Sequence, residues 1–331
     1  MTHLRRRISI HMPPARRPGD TIHIIPPARA ITADELREGI TLAESWGLQV
    51  KLGHGIGRKH FQQAGTAEER AADLQAALSD PQVRAIWCAR GGYGTVHLLE
   101  HLDLSVLRRD PKWIVGFSDI TVLHNALLNI GVASLHAQMP FNIGVKMEGT
   151  KETVRAALFG EPFLVVSGEW RSAKEIHAGP AVCHSPRTTP RVGHCEGVLT
   201  GGNLSVLYSL RGTPYDIDPR GKILFLEDLD ELRYHADRMI QNLKLGGWFE
   251  ELAGLVVGGL TAMHDKNPDD PFGKEVEEMI AEAVAPHGYP VCYGFPAGHI
   301  DDNRALPLGR KAALSVTGTG ASLRFEGGPL T

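Results

Sequence analysis

The first 140 residues alternate short apolar segments typical of β-strands with longer segments of helical periodicity. The strand segments are TIHII, LQVKL, RAIWC and KWIVG, which begin at residues 21, 48, 84 and 112. Two S/T-x-x-E capping boxes begin helices between them: Thr32 with Glu35, and Thr66 with Glu69. Strands that alternate with helices in this way form βαβ units, so we expect a mainly parallel, Rossmann-like sheet with helices on both faces.

The second half of the chain has a different pattern. Its strand segments are short, and two clear helical segments lie at about 229–245 and 273–286. Between the halves, at 151–190, proline, glycine and histidine accumulate, which indicates an interdomain connection. We therefore expect an α/β fold with two domains: an amidotransferase-like N-terminal domain over residues 1–150, and a smaller, β-rich α+β domain over 191–331.

The composition narrows the class of function. The 331 residues carry a formal net charge of −3, which gives no reason to expect a nucleic acid or an acidic membrane surface as the partner. The longest apolar stretch is too short to span a bilayer, and no apolar signal segment follows the basic residues 5–7. Four widely separated cysteines without C-x-x-C spacing fit a reduced, cytoplasmic setting. The sixteen histidines show no metal-ligand spacing, so we expect no metal site.

Two glycine-containing turns follow strands of the first half. Parallel α/β sheets bind ligands at the carboxyl ends of their strands, which is the position of both turns. The turn ARGGYGT (89–95) can face an anion with its backbone N–H groups, although a plain tight turn uses the same glycines. It matches neither G-x-G-x-x-G nor the P-loop, which argues against a nucleotide. The turn GFSDIT (116–121) places Ser118 at a strand-to-helix junction, where a serine is either a helix N-cap or a nucleophile.

A nucleophilic serine needs a base and a carboxylate that orients the base. Glu227 ends the apolar strand ILFLE, and His299 follows Pro-Ala-Gly in a long loop between two strands. Each also has an ordinary explanation, since acids are common at strand ends and a lone loop histidine is usually incidental. Three such residues at strand or loop ends support one another, so a site of Ser118, His299 and Glu227 is our hypothesis.

These motifs make the sequence similar to the LD-carboxypeptidase (muramoyltetrapeptide carboxypeptidase) family of serine peptidases, the S66 group, which also contains the microcin C immunity peptidases. Seven segments carry the resemblance in the family's order: PGDTIHIIPPA, AGTAEERAADLQAAL, ARGGYGT, GFSDIT, LTGGNLSVL, FLEDLDE and GHIDDNRALPLG. The resemblance implies Ser118 as the nucleophile, Glu227 as the carboxylate and His299 as the base, with no metal or organic cofactor. Acyl transfer by such a triad needs an oxyanion hole, for which we expect the N–H groups of Asp119 and Gly92.

A carboxypeptidase must also recognise a free terminal carboxylate. Arg90, beside the glycine turn, either binds that carboxylate with its fork of N–H groups or supports the turn through an ion pair. Asn203, in the segment GGNL, either contacts the substrate or caps a local turn. The sequence leaves both alternatives open. It also leaves open the role of the segment 172–190, which departs from the family pattern.

The resemblance implies a cytoplasmic, homodimeric LD-carboxypeptidase that removes terminal D-alanine from muropeptide tetrapeptides in peptidoglycan recycling. Its partner is then a small peptide substrate. One alternative is a peptide amide hydrolase of the microcin C immunity type. Ser205 after GGNL argues for the murein enzymes. A second alternative is a non-catalytic ligand-binding protein, but such a protein has no need of Ser118, Glu227 and His299 together.

Overall fold

The computed structural model describes residues 9–167 and 188–325. Its α-helices are α1 (Arg37–Ser45), α2 (Ala67–Ser79), α3 (Thr121–Asn129), α4 (Glu148–Leu158), α5 (Leu204–Ser209), α6 (Arg233–Leu245) and α7 (Val276–Val284). Short 3₁₀ helices cover Asp34–Leu36, Thr95–His101, Leu104–Arg108 and Ser118–Ile120. The strands are β1 (Thr21–Ile25), β2 (Gln49–Leu52), β3 (Val83–Cys88), β4 (Trp113–Gly116), β5 (Ser134–His136), β6 (Phe163–Val166), β7 (Gly193–Asn203), β8 (Ile223–Leu229), β9 (Gly254–Thr261), β10 (Val291–Cys292), β11 (Leu306–Leu308), β12 (Lys311–Val316) and β13 (Ala321–Phe325).

The first sheet has the strand order β11-β5-β4-β3-β1-β2. Strands β1 to β5 are mutually parallel, and all four strand segments predicted in the first half of the chain are present. The predicted parallel α/β sheet is confirmed. The strand β11, which comes from the second half of the chain, pairs antiparallel with β5 and extends this sheet.

The second sheet has the strand order β10-β9-β8-β7-β12-β13-β6. Strands β7 to β10 are mutually parallel, whereas β12, β13 and β6 are added antiparallel. Helices α5, α6 and α7 supply apolar side chains to the core that covers the parallel half. The chain is therefore an α/β protein with a second, β-rich sheet of mixed direction, as the sequence predicts in outline.

The segment between the predicted domains is partly built into both of them. Three apolar residues of α4 are buried in the core of the first sheet: Val154, Ala157 and Leu158. The strand β6 forms the edge of the second sheet through its pairing with β13. Residues 151–167 therefore belong to ordered elements, while most of the segment 172–190 lies outside the described residues.

The predicted capping boxes begin their helices. Thr66 and Glu69 bond each other's backbone N–H at the start of α2. Thr32 and Glu35 do the same, although the helix that follows them opens with a 3₁₀ turn before α1. None of the described helices has the length and apolar character needed to cross a membrane.

The segment LTGGN at the end of β7 has two glycines because β8 runs against its backbone. Gly201 has φ +122°, and a Cβ atom built on it would lie 1.9 Å from the carbonyl oxygen of Phe225. Next to it, a Cβ on Gly202 would lie 2.7 Å from the Thr121 hydroxyl at the start of α3. Gly201 thus lets β8 lie against β7, and Gly202 lets the start of α3 pack against the end of β7.

We expect Gly201→Ala to lower the free energy of unfolding by about 3 kcal/mol or more, because it adds both a backbone clash and an unfavourable φ. Gly212→Ala is a matched control, since Gly212 also has a positive φ but has no atom within 4 Å of a built Cβ. The control is expected to cost only about 1–2 kcal/mol. Chemical denaturation measures both, and equal losses would show that the approach of β8 is not what requires Gly201.

Candidate active site

A cavity of about 860 Å³ brings the predicted site residues together. Its walls include Arg90, Gly92, Ser118, Asp119, Asn203 and His299. Glu227 is absent from the wall because its side chain is fully buried behind His299. All seven residues predicted for the site therefore lie in the cavity wall or directly behind it.

Ser118 is held in a strained turn directly after β4. Its φ is +64°, a region that costs a non-glycine residue roughly 1–2 kcal/mol. The residue in the cap position of the following 3₁₀ helix is Phe117, and no side chain caps that helix. The N-cap interpretation of Ser118 is therefore wrong. The turn instead lifts the Ser118 side chain into the cavity, close to Gly91, where a Cβ atom would lie 3.2 Å from Ser118 Cβ.

His299 is bound to Glu227 through its ring. The Nδ1 atom of His299 lies 2.7 Å from Oε2 of Glu227, and the backbone N–H of His299 donates to the same oxygen at 3.3 Å. The loop can pass this close because residue 298 is glycine, with φ +102° and a built Cβ only 2.7 Å from Glu227 Cβ. The ring of His299 also lies 4.8 Å from that of Phe117, the residue before Ser118.

Opposing effects set the charges of this pair. Burial by itself raises the pKa of Glu227, but the positive charge of His299, the hydrogen bond to His299 and the nearby His136 ring outweigh it and bring that pKa to about 2. Burial likewise lowers the pKa of His299, and the charge of Glu227 outweighs it, so that the net shift is upward. The arrangement thus favours an ionised Glu227 beside an imidazole that accepts protons more readily than usual.

The two glycine turns are tied to each other by the side chain of Asp119. Its Oδ2 accepts hydrogen bonds from the N–H of Thr95 at 2.9 Å and from the Thr95 hydroxyl at 2.6 Å. Burial raises the pKa of Asp119, and the bonds from Thr95 oppose that shift. Arg70 also fixes the first turn, since its guanidinium donates to the carbonyl oxygens of Gly94 and Pro27. The position of Gly92 relative to Ser118 is therefore set by buried polar contacts.

Arg90 is half-buried in the cavity wall. Its guanidinium carbon lies 4.3 Å from the centre of the Phe141 ring, and its Nη1 lies 3.7 Å from Oε1 of Glu35. At that distance the ion pair with Glu35 is loose, whereas 4.3 Å is well within the range of a cation–π contact with Phe141. Arg29 lines the same wall, and its aliphatic chain covers Gly92 so closely that a Cβ there would lie 2.3 Å from Arg29 Cδ. The sequence analysis did not identify Arg29.

Asn203 is the N-cap of α5. Its Oδ1 accepts from the N–H of Val206, and its Nδ2 donates to Oδ1 of Asp228 at 2.8 Å. The capping alternative is thus realised, although Asn203 also lines the cavity. Burial, followed by the negative charge of Glu227, raises the pKa of Asp228 to about 7. The sequence did not indicate Asp228 as a titratable group of the cavity wall, because an acid directly after Glu227 at a strand end forms no pattern of its own.

The loop that presents His299 is supported by Asn303. The Oδ1 of this buried amide accepts from the N–H of Gly298 at 2.8 Å, and its Nδ2 donates to Gln138 at 3.3 Å. Among the described residues, no group of three or more His, Cys, Asp or Glu side chains is arranged to hold a metal ion. The wall of the cavity presents a hydroxyl, an imidazole, carboxylates, one lysine and two arginines.

The strain at Ser118 predicts a difference between two variants that both lack the hydroxyl. The free energy of unfolding of Ser118→Gly should exceed that of Ser118→Ala by about 0.5–1 kcal/mol, because glycine adopts a positive φ without steric cost. Chemical denaturation measures this difference. A less stable glycine variant would contradict the strained turn.

Comparison with known proteins finds relatives over most of the chain. Residues 22–137 match the N-terminal domain of LD-carboxypeptidases (peptidase S66), and residues 196–314 match their C-terminal domain. The probable murein peptide carboxypeptidase of Bacillus subtilis is 36% identical over 314 residues, covering 92% of each chain. A solved structure, the muramoyltetrapeptide carboxypeptidase of Oxalobacter formigenes, is 29% identical with a TM-score of 0.79 and covers 93% of this chain and 99% of its own.

A more distant relative has a different name. The microcin C7 self-immunity protein MccF of Escherichia coli is 23% identical over 325 residues, covering 92% of this chain and 93% of its own. Both kinds of relative thus match over nearly the whole length, with the higher identity on the murein side. The chain belongs to the LD-carboxypeptidase family of serine peptidases, S66.

Proposed function

We propose that the protein is a serine LD-carboxypeptidase that hydrolyses the amide bond to the terminal D-alanine of muropeptide tetrapeptides. The observation that carries the proposal is the common cavity of Ser118 and His299, with His299 bonded at 2.7 Å to the buried Glu227. A hydroxyl, an imidazole and an orienting carboxylate are the three groups that acyl transfer needs. The names of the murein carboxypeptidases that this chain resembles supply the substrate class.

In this mechanism His299 accepts the proton of the Ser118 hydroxyl while Ser118 attacks the peptide carbonyl. Glu227 holds the imidazole through Nδ1, which leaves Nε2 as the atom that takes the proton. The negative charge of Glu227 stabilises the imidazolium that forms. His299 then donates the proton to the leaving amine of D-alanine, and water hydrolyses the acyl-enzyme by the same steps in reverse.

The developing oxyanion would be bound by the backbone N–H groups of Asp119 and Gly92. Asp119 follows Ser118 directly, and the bonds from Thr95 to its carboxylate hold the two turns in place before any substrate binds. Donors fixed in advance need no reorganisation during the reaction, which is the main source of their catalytic effect. Gly91 and Gly92 line the cavity without side chains of their own, and the Arg29 chain packs against Gly92.

The free carboxylate of the substrate would be bound by Arg90. Its loose contact with Glu35 leaves the guanidinium N–H groups available on the cavity side, and its stacking on Phe141 fixes their plane. We assign Asn203 a role in shaping the wall, because its amide is used to cap α5 and to bind Asp228.

The immunity-type amide hydrolase is the second candidate, since a relative of that name matches over nearly the whole chain. The higher identity to the murein enzyme, 36% against 23%, favours the first. A pure binding role does not account for the strained turn at Ser118 beside a histidine bound to a buried carboxylate. We further propose that the enzyme acts as a cytoplasmic homodimer in peptidoglycan recycling, by analogy with the family.

Purified muropeptides test the function directly. We expect mass spectrometry to show that the tetrapeptide loses one alanine, while the D-Ala–D-Ala bond of the pentapeptide stays intact. The reason is that inverting the acyl-side centre moves the carbonyl out of the oxyanion hole, and a shift of about 1 Å costs about a hundredfold in rate. Ser118→Ala should lose several orders of magnitude in kcat while its circular dichroism is unchanged. Release of D-alanine from the pentapeptide would overturn the LD assignment, and activity on a peptidyl-nucleotide alone would favour the second candidate.

The role of Arg90 is tested with a substrate and its C-terminal amide. Arg90→Ala should lower kcat/KM for the free acid by roughly ten- to a hundredfold, the contribution of a hydrogen bond to a charged group, and should affect the amide much less. Arg37→Ala is a control, because Arg37 is exposed and pairs with Asp34 on the surface. Equal losses on acid and amide would show that Arg90 does not read the carboxylate.

A further inference from the structure

A second buried histidine lies behind the proposed triad. His136, the last residue of β5, is fully buried, and neither of its ring nitrogens has a hydrogen-bond partner among the described residues. Its Nε2 lies 4.0 Å from Oε1 of Glu227. That oxygen is also buried and has no hydrogen-bond partner in the described ranges, 9–167 and 188–325. Two unsatisfied polar atoms thus face each other behind the site.

The separation of 4.0 Å between these two atoms is longer than a hydrogen bond. At 4.0 Å they are too far apart for a good hydrogen bond, which needs about 2.9 Å, and too close for a bridging water. A movement of roughly 1 Å closes the gap and satisfies both atoms at once. Catalytic hydrogen bonds are often long in the absence of substrate and tighten in the complex.

His136 is fixed from the first sheet, whereas Glu227 belongs to the second. His136 lies opposite Gly116 of β4 and Leu306 of β11 in the sheet register. The ring of Phe225 meets the His136 ring edge-on at 4.9 Å, and that of Phe117 does so at 5.8 Å. The imidazole is therefore held between aromatic rings with its Nε2 towards Glu227.

We infer that His136 is a positioning residue for Glu227: its Nε2–H donates to Oε1, which keeps Oε2 on His299 and keeps the carboxylate ionised. The inference rests on the proposed triad. A fully buried carboxylate with one oxygen unsatisfied is costly, and a second donor removes that cost. His136 then acts through Glu227 and does not touch the substrate.

Loss of the donor at residue 136 changes the pH dependence of kcat/KM. Without the donor at residue 136, the negative charge of Glu227 is less stabilised, so the Glu227–His299 pair binds its shared proton more tightly. Because His299 must be unprotonated to act as the base, the acidic limb of the kcat/KM profile then moves to higher pH. The sign is the same whether the proton resides on His299 or on Glu227.

Other titratable groups also face this pair. Asp228, adjacent on β8, and Lys146, across the cavity, act on His299 with opposite signs. His124 of α3 lies 6.3 Å from His136 ring to ring, but it is bonded to Ser134 and Gly116, and burial lowers its pKa to about 3. Asp228 and Lys146 stay unchanged in every variant below, so they contribute no difference between variants.

The test compares His136→Phe with His136→Gln. Phenylalanine keeps the aromatic contacts without the donor, whereas glutamine places an N–H close to the position of Nε2. We expect His136→Phe to lower kcat by roughly ten- to a hundredfold on the muropeptide, with KM little changed and the acidic limb at higher pH. His136→Gln should retain most of kcat and the wild-type limb. NMR titration of ¹⁵N-labelled histidines should show the pKa of His299 raised in the phenylalanine variant alone.

His124→Phe is the matched control, because it removes a neighbouring buried histidine and two hydrogen bonds without a contact to Glu227. It should lose stability yet keep the acidic limb. The inference is overturned if His136→Phe keeps the wild-type kcat and acidic limb. It is also overturned if His136→Gln is as impaired as His136→Phe, or if His124→Phe shifts the acidic limb equally. If the wild type leaves muropeptides intact but the His299 shift is seen by NMR, the proposed function fails and the positioning role stands.

Discussion

The structure depends on how a fully buried carboxylate keeps its charge. Glu227 ends a strand of the second sheet with no exposed surface, and an isolated charge in such a place would simply become protonated. It stays ionised only if donors reach it from several directions. His299 supplies a ring nitrogen and a backbone N–H from the loop after β10, and His136 stands on the other side from the first sheet. Glu227 is therefore a point at which groups from both sheets meet.

The side of the cavity that carries Ser118 is fixed by equally buried contacts. The carboxylate of Asp119 binds both the N–H and the hydroxyl of Thr95, and Arg70 binds the carbonyl oxygen of Gly94 from behind. Because residue 91 is glycine, the turn that contains it can lie within contact distance of Ser118 in the other turn. Each turn alone is a common loop. Their mutual position, which decides where an oxyanion would lie, comes from polar side chains outside the reacting groups.

Sequence patterns predicted what is local or periodic. Capping boxes, apolar strand segments and helical spacing gave the parallel sheet, and motif order gave the placement of Ser118, Glu227 and His299 around one cavity. What was missed depends on long-range contact. The return of β11 to the first sheet involves only three residues, too few for a periodic signal. The contacts of Arg29 with Gly92, of His136 with Glu227 and of Asn203 with Asp228 join residues that are distant in sequence, so residue type alone did not indicate them.

Two neighbouring carboxyl groups at the cavity, Glu227 and Asp228, affect the stability of the fold with opposite signs. The pKa of Glu227 is depressed to about 2. Its contribution to the free energy of folding is therefore complete above its ordinary pKa and is lost as the pH falls from that ordinary pKa towards the depressed one. Asp228 has a raised pKa of about 7, so its ionisation increasingly opposes folding as the pH rises from its ordinary value to neutrality. Three N–H donors, from Asn203, Ser205 and Leu229, limit that cost without removing it. Because both oxygens of Asp228 accept N–H bonds, an amide at this position would turn its NH2 group towards a donor. Two adjacent carboxyl groups at a cavity that also contains a serine in a strained turn are the pattern expected where local stability is exchanged for chemistry.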